Sequence, residues 1–452
     1  MKSVIERNGT ENIILPETMT HEEAISRISA DRELLGYGER EVTIEEIIPR
    51  FPFEAAHALS KATKELHGAT IGHDVPLPDG GVIRNKLIGV PISATENVQV
   101  PWGPFHLPDV EGSLETVQVV ENGMIVMKLV ARVKRKYGEK IKVLADRTRE
   151  LADKESIYRG KAIMVKFRDE RGELDVAPPS FMDLSGDHTV IFSHEVMREV
   201  SVNVLVPIKH AELAKKLNIP TKRGILLVGT YGSGKTLTAR WMAKESTNIG
   251  RTFIYVKDAS ELGDALRFAS LYSPSMIFAE DIDRVMFGLR TQEMDQMLNT
   301  VDGVDTKNVD IITVLTTNNL NMIHPAFLRE GRMDTIIQID KPDLTATEAL
   351  VRHFGGNLIV KSEKLNRLSS LLQEHSPAFI REVVERSKLE KLLDLNNGDI
   401  ESIRLTAQDL ELAFHHHSKE REQVDVAMKE SDMLAQFAQH LKAHGLQVRM
   451  PQ

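Results

Sequence analysis

The run Arg223-Gly-Ile-Leu-Leu-Val-Gly229-Thr-Tyr-Gly232-Ser-Gly234-Lys235-Thr236 constrains this chain more than any other stretch, because it joins an apolar strand, a glycine-rich turn and a helix start without a gap. Gly229, Gly234, Lys235 and Thr236 satisfy the spacing G-x-x-x-x-G-K-[ST] of a P-loop. Each residue type has a mechanical reason to be there. The glycines let successive backbone N–H groups turn inward around a phosphate, the lysine brings a cation to the β- and γ-phosphates, and the threonine hydroxyl suits Mg²⁺. A helix opening near Lys235 adds its positive end to the same anion. An ordinary turn before a helix would share the glycines but not the setting, an apolar strand over 225–228 and a helical pattern over 237–244. Gly229, Thr230, Tyr231, Gly232, Ser233, Gly234, Lys235, Thr236 and Leu237 are therefore the expected phosphate-binding set, with Thr236 on the metal side.

Organisation along the chain follows from changes of periodicity. Thr43-Ile-Glu-Glu46 reads as a capping box, and residues 53–67 carry apolar side chains at helical spacing until Gly68 stops them, which predicts a small helical segment over 1–75. From 76 to 200 short β-like runs alternate with Pro and Gly signals around one helical stretch at 142–152, predicting a strand-rich α+β domain. Residues 201–342 alternate apolar strands (253–256, 276–279, 311–315) with helical patterns, as a parallel α/β sheet requires. Helical patterns follow over 343–420, and a helical tail over 421–452 places Met428, Leu434, Phe437 and Leu441 on one rough stripe.

At 452 residues there is length for roughly two to four domains, and a net charge of −9 argues against a globally phosphate-tracking surface. The absence of cysteine excludes disulfides, thiolate metal sites and cysteine nucleophiles. Glu6, Glu11, Glu17, Glu22 and Glu23 leave no apolar core for a signal peptide, and no run approaches the length of a membrane span, so the expectation is a cytoplasmic protein without membrane contact.

The strand over 276–279 delivers Glu280-Asp281-Ile282-Asp283 at its carboxyl end, where ligands of open α/β sheets bind. Together with the P-loop, this makes residues 201–420 resemble an AAA-family ATPase module. Glu280-Asp281 stand where that family has its Walker B acids, Leu298-Asn-Thr-Val-Asp302-Gly303 resembles the helix before the next strand, Thr316-Thr317-Asn318 matches sensor 1, and Pro325 to Asp334 matches the second region of homology. The resemblance implies ATP and Mg²⁺ as cofactors and Lys235, Glu280, Asp281, Asn318, Arg329 and Arg332 as catalytic residues, with Thr236 and Glu280 on the metal. It makes Asn318 the group that polarises water or senses the γ-phosphate, and makes Arg329 and Arg332 arginine fingers reaching a neighbouring subunit's ATP. A site divided in this way implies a closed homo-oligomeric ring, usually a hexamer.

Two departures from the family stand out. The commoner Walker B order is Asp then Glu, whereas here Glu280 precedes Asp281. Glu280 is read as the Mg²⁺-side residue and Asp281 as the water-orienting one, with the exchanged roles and Asp283 as alternatives. The connection 256–263 after the second strand is too short for the aromatic pore loop of threading unfoldases, and Tyr255 and Phe268 read as core positions. These features together resemble the AAA branch of the mitochondrial translocase for folded Rieske protein. Arg381 in Ser376-Pro-Ala-Phe-Ile-Arg381 is a weak sensor 2 match, and His353 falls near the position that stacks on adenine in some members.

Outside that module, the basic run 132–142 suits either phosphate contacts or a solvated strand edge, with the edge favoured. Trp102 lies between prolines in either a recognition loop or a buried corner, and His415-His416-His417 point three ways from a helix, so that one metal site there is not expected. The combined expectation is an ATP hydrolase remodelling a protein client, with a nucleic-acid remodeller or a nucleotide-gated scaffold as alternatives.

Overall fold

Residues Glu41–Ile48 (β1) alternate exposed Glu41, Thr43 and Glu45 with covered Val42 and Ile44 and end on fully buried Ile48, the period-two pattern of a strand with one covered face. The expected capping box at Thr43-Glu46 is therefore not one: Pro49 follows at once, and no apolar helical run exists for the box to open. The computed structural model describes residues 38–68, 86–168, 176–219, 223–286, 309–393 and 403–421, except 122, 330, 331 and 334, with short pieces before 38 and between 69 and 85. Leu298 to Gly303 and the tail stripe Met428–Leu441 lie outside the described residues.

Helix α1 (Pro52–His67) opens with proline in its first turn and closes on Gly68 in the left-handed region, as the sequence leads one to expect. The chain then forms a hairpin, β2 (Leu87–Pro91) with β3 (Asn97–Pro101), and the strands β4 (Pro104–Phe105), β5 (Gly112–Glu121) and β6 (Met124–Lys134). A four-stranded antiparallel sheet has the order β1-β6-β5-β4, so the segment before residue 75 and the strand-rich segment after it share one sheet. Helix α2 (Gly138–Lys154) buries Ile141, Leu144, Ala145, Leu151 and Ala152 on one stripe. Trp102 stacks flat on Phe53 of α1 at 4.8 Å, which makes its loop a packed corner. In the basic run, Lys134 pairs with Glu39 and Glu111, Lys136 with Glu39, and Lys140 with Asp109, so these cations are neutralised within the fold.

The second sheet has seven strands in the order β8-β7-β10-β11-β12-β9-β13: β7 (Ala162–Val165), β8 (Ser180–Phe181), β9 (Arg223–Val228), β10 (Thr252–Val256), β11 (Ser275–Ala279), β12 (Ile311–Thr317) and β13 (Thr335–Gln338). All neighbours are parallel except the edge pair β7 and β8. Strand β7, placed by the sequence in the preceding domain, pairs with β10, so the sheet begins ahead of the expected boundary at 201. Along β9, Leu226 and Val228 enter one core and Ile225 and Leu227 the other. The second of these cores lies under α3 (His194–Val200) and α4 (Lys235–Asn248). The first core runs without a break into the amino-terminal sheet.

That continuity is carried by aromatic and polar contacts around α5 (Leu262–Leu271), the helix after β10. Phe51 meets Phe268 edge-on at 4.8 Å, and Phe167 packs on both. Beneath them Glu54 of α1 is 1% exposed. It accepts from the Tyr272 hydroxyl at 2.7 Å, the Ile157 N–H at 3.1 Å and the Ser156 hydroxyl. Burial raises the Glu54 pKa, and the Ser156 and Tyr272 hydroxyls oppose that rise. Glu261 accepts from the Phe167 and Arg168 amides at 3.1 and 3.0 Å, and Arg168 pairs with Asp264. A helical layer of α6 (Leu344–Gly355), α7 (Asn366–Leu372), α8 (Pro377–Leu393) and α9 (407–421) surrounds a separate core of Leu350, Leu368, Ile380 and Leu410. His415, His416 and His417 lie on α9, where His416 pairs with Glu390 and His417 packs on Phe379; no metal-binding cluster occurs among the described residues.

Glu54→Ala leaves two buried donors and the half-buried Ser156 hydroxyl without their acceptor and is expected to lower stability by on the order of 3 kcal/mol in denaturant unfolding, against about 1 kcal/mol for Tyr272→Phe. Equal midpoints for both variants and wild type would show the join to be dispensable.

Candidate nucleotide site

Three strands of the seven-stranded sheet end at one cleft of about 600 Å³, lined from the sheet by Tyr231, Gly232, Gly234, Lys235, Thr236, Leu237, Glu280, Asp281, Thr316 and Asn318, and from the helical layer by Phe354, Pro377, Ala378, Arg381, Glu382 and Glu385. Most of the phosphate-binding set is thus brought together. Gly229, Thr230 and Ser233 serve from below: Gly229 and Thr230 present their carbonyls to Lys235, while Ser233 is buried under the turn.

Lys235 begins α4 and is 8% exposed. Its ammonium donates to Gly229 O at 2.6 Å, Thr230 O at 2.9 Å and Asn318 Oδ1 at 2.8 Å, which uses all three of its protons. Burial holds its pKa below the ordinary lysine value, and the charges of Asp281, Asp283 and Glu280 oppose that fall. Asn318 then donates Nδ2 to Asp281 Oδ1 at 3.0 Å. The amide orientation is fixed by chemistry, since an ammonium only donates and a carboxylate only accepts. Lysine, amide and carboxylate form one directed chain across the ends of β9, β12 and β11.

Asp281 is in the left-handed region at φ 49°, and its N–H donates to Thr316 Oγ1 at 3.1 Å. This conformation costs L-residues roughly 1–2 kcal/mol, and Asp and Asn are the non-glycine types that visit it most readily. The Glu-then-Asp order has a physical account here, because the short acid occupies the position where the backbone turns. Arg284 Nη2 lies 2.9 Å from the second Asp281 oxygen, and Asp283, 9% exposed, accepts from the Asn318 amide at 3.4 Å. Asp283 is a brace for the loop and does not line the cleft.

Glu280 offers a different environment. Its Oε1 is buried with no hydrogen-bond partner, while the residue lines the cleft. An orphaned carboxylate oxygen, with the Thr236 hydroxyl on the same wall, suits a hard divalent cation held by oxygen ligands, directly or through water. Tyr255, expected as a core residue, is one: it stacks on Phe278 and packs against the core under α4. Burial and the neighbouring Glu280 charge raise its phenol pKa, so it stays protonated.

Gly232, at φ 76°, takes a conformation that favours glycine, and a Cβ there would lie 2.8 Å from that of Ala378. Its carbonyl accepts from the Ala378 amide at 3.2 Å, so the phosphate turn touches the start of α8 directly. Gly224 permits an equally close approach, because a Cβ there would fall 1.6 Å from the Arg332 carbonyl oxygen. Arg332 donates to Ala326 O at 2.6 Å, Arg329 is exposed, and neither lines this chain's own cleft. Arg381 does line it, although its sequence signal is weak. His353 turns instead to Asp187 at 3.7 Å, and its neighbour Phe354, one helical step away, reaches the cleft. Phe354, Glu382 and Glu385 were not anticipated, since their role depends on how α6 and α8 meet over the sheet.

Residues 225–341 match the family described as ATPase family associated with various cellular activities (AAA). The chain carries an AAA-family ATPase domain. It is 28% identical over 242 residues to a 26S proteasome regulatory subunit 4 homologue of Schizosaccharomyces pombe, covering 48% of this chain and 52% of that one. A proteasome-activating nucleotidase of Methanocaldococcus jannaschii is 33% identical, over 41% of this chain and 44% of its own. An ATP-dependent zinc metalloprotease FtsH of Helicobacter pylori is 28% identical, over 46% and 35%. The chain thus spans about half or less of the length of these relatives, and the alignments leave roughly half of it unmatched. The fold around the AAA domain is the mostly parallel sheet with helices expected from the sequence.

If Lys235 holds the phosphates, saturating ATP at about 100 times Kd raises the stability of wild type by ~2.7 kcal/mol. Lys235→Ala should show no ATP-dependent rise in melting temperature, and an undiminished rise would remove Lys235 from the site.

Proposed function

We propose that the protein is a Mg²⁺-dependent ATP hydrolase, that it works as a ring of identical subunits, usually a hexamer in this family, and that it uses ATP turnover to remodel a protein client through its amino-terminal module. The observation that carries the reading is the chain Lys235–Asn318–Asp281 beside the orphaned Glu280 oxygen. A phosphate is a stronger partner for the ammonium than a carbonyl or an amide. Binding therefore draws Lys235 away from Asn318, and Asn318 Oδ1 is freed to accept from the attacking water while Nδ2 stays on Asp281. Asp281 can then orient a water for in-line attack and accept its proton. Thr236 and Glu280 would hold Mg²⁺, which would supply positive charge to offset that of the phosphates. Arg381, reaching in from α8, senses closure of the helical layer over the site.

The positions of Arg329 and Arg332 support a role in trans. Both sit away from their own cleft on a segment that begins just after sensor 1, and an inserted guanidinium stabilises charge on the transferred phosphoryl group. A protein client is supported by relatives named for the proteasome and for proteolysis. The path of force differs from threading, however. Strand β10 runs through only Lys257 and Asp258 into a 3₁₀ turn at Ala259–Glu261 and then α5, leaving no length for a pore loop. The same turn and helix hold the amino-terminal module through Glu261, Asp264 and Phe268. Motion of α5 would move that module directly, the arrangement that favours the Rieske-translocase branch. A nucleic-acid client is disfavoured by the internal pairing of Lys134, Lys136 and Lys140. No helix among the described residues is long and apolar enough to cross a membrane, and a cytoplasmic setting fits that observation.

The test is ATP turnover and particle mass measured together across protein concentration. Wild-type turnover per subunit should rise as rings form, while Arg332→Ala assembles normally and loses on the order of a hundredfold or more in kcat. Turnover that is independent of assembly, or an Arg332→Ala ring as active as wild type, would overturn the trans site. Assembly with ATP bound but no ADP released would favour the gated scaffold.

A further inference from the structure

We propose that Arg284 is a positioning residue that restrains Asp281, holding one of its carboxylate oxygens away from the nucleotide until turnover begins. The inference deepens the reading of Asp281 as the group that orients water, and it rests on that reading. Its basis is the turn that follows β11. The chain reverses at Asp281, where φ is 49°, and the Arg284 amide donates to the Asp281 carbonyl at 3.0 Å. That closed turn sets side chains 281 and 284 beside each other, and the Arg284 guanidinium pairs with Asp281 Oδ2 at 2.9 Å. Asp281 Oδ1 is already taken by the Asn318 side-chain amide at 3.0 Å. Asn318 lines the cleft and Arg284 does not, so the carboxylate is held from two sides, one oxygen by the cleft wall and the other by a cation outside it.

A water that is to be oriented, and to give up its proton, needs a carboxylate oxygen turned towards it. Asn318 keeps Oδ1, which leaves Oδ2 for that task, and the ion pair has to open before Oδ2 can turn inward. Little holds the pair closed. The Arg284 side chain is 76% exposed, and Asp281 is the one acidic partner it has among the described residues. An exposed pair of this kind is weak and is screened by salt, so it slows the reaction a few fold without blocking it. Arg284 is thus a brake on the resting site and stands apart from the phosphate cradle.

Single-turnover phosphate release from the full chain with Mg²⁺ and ATP, under conditions where wild type hydrolyses, is the test. Arg284→Ala should release phosphate about two- to fivefold faster than wild type, with the Kd for ATP and the melting temperature unchanged, and Arg284→Lys, which can still pair, should stay near wild type. The ratio of the Arg284→Ala rate to that of wild type should fall towards one as salt is raised. On an Asp281→Asn background, slow but measurable, Arg284→Ala should change nothing further, because the restraint acts through the carboxylate. An Arg284→Ala rate equal to or below wild type, or the same gain on the Asp281→Asn background, would overturn the restraint. Slow release from Asp281→Asn alone would in that case leave Asp281 in its role. Release from Asp281→Asn at the wild-type rate would instead remove the reading on which the restraint rests.

Discussion

A lysine ammonium that is almost wholly buried must use its three protons, and Lys235 does so on two carbonyls of the phosphate turn and one side-chain amide. Much of the site follows from that requirement. The first two acceptors shape the turn. The third ties the end of β9 to the end of β12, and through Asn318 to the acid after β11. Three strands adjacent in the sheet thereby share one charge, and any anion that competes for the ammonium changes all three ends together.

The same site reaches the rest of the chain by two routes. Gly232 lies against Ala378, so a change in the phosphate turn is felt at the start of α8, which also carries Arg381 into the cleft. On the other side β10 passes almost at once into α5, where Phe268, Glu261 and Asp264 grip the amino-terminal module and Tyr272 holds Glu54. The buried carboxylate is costly to leave without partners, and it has donors from both sides of the join. The AAA domain thus packs against the helical layer on one side of the site and against the amino-terminal module on the other.

How much of this could be read from the chain alone depended on whether a residue's role is local. The phosphate turn, β11 with its acids, and Asn318 are legible because strand, turn and helix signals lie next to the functional residues. Helices α1 and α2 are legible from their apolar spacing. Strand β1 was misread because a Thr-x-x-Glu pair matches a capping box, while the two-residue alternation around it gains its meaning only from pairing with β6. Strand β7 lay hidden in the preceding domain for the same reason, since its partner β10 is some ninety residues away in sequence. Phe354 was passed over because nothing local separates a cleft residue from a core one. The Glu-then-Asp order, an anomaly as sequence, has its reason in the left-handed backbone at Asp281.

The central claim is that Asp281, held by Asn318 and turned by its own backbone, is the group that orients water in this site. Single-turnover phosphate release from Asp281→Asn measures it most directly, because asparagine tolerates the same backbone conformation and keeps the size of the side chain. The account predicts ATP affinity close to wild type with release slowed by about two orders of magnitude or more. Release at the wild-type rate would contradict it and move the role to Glu280.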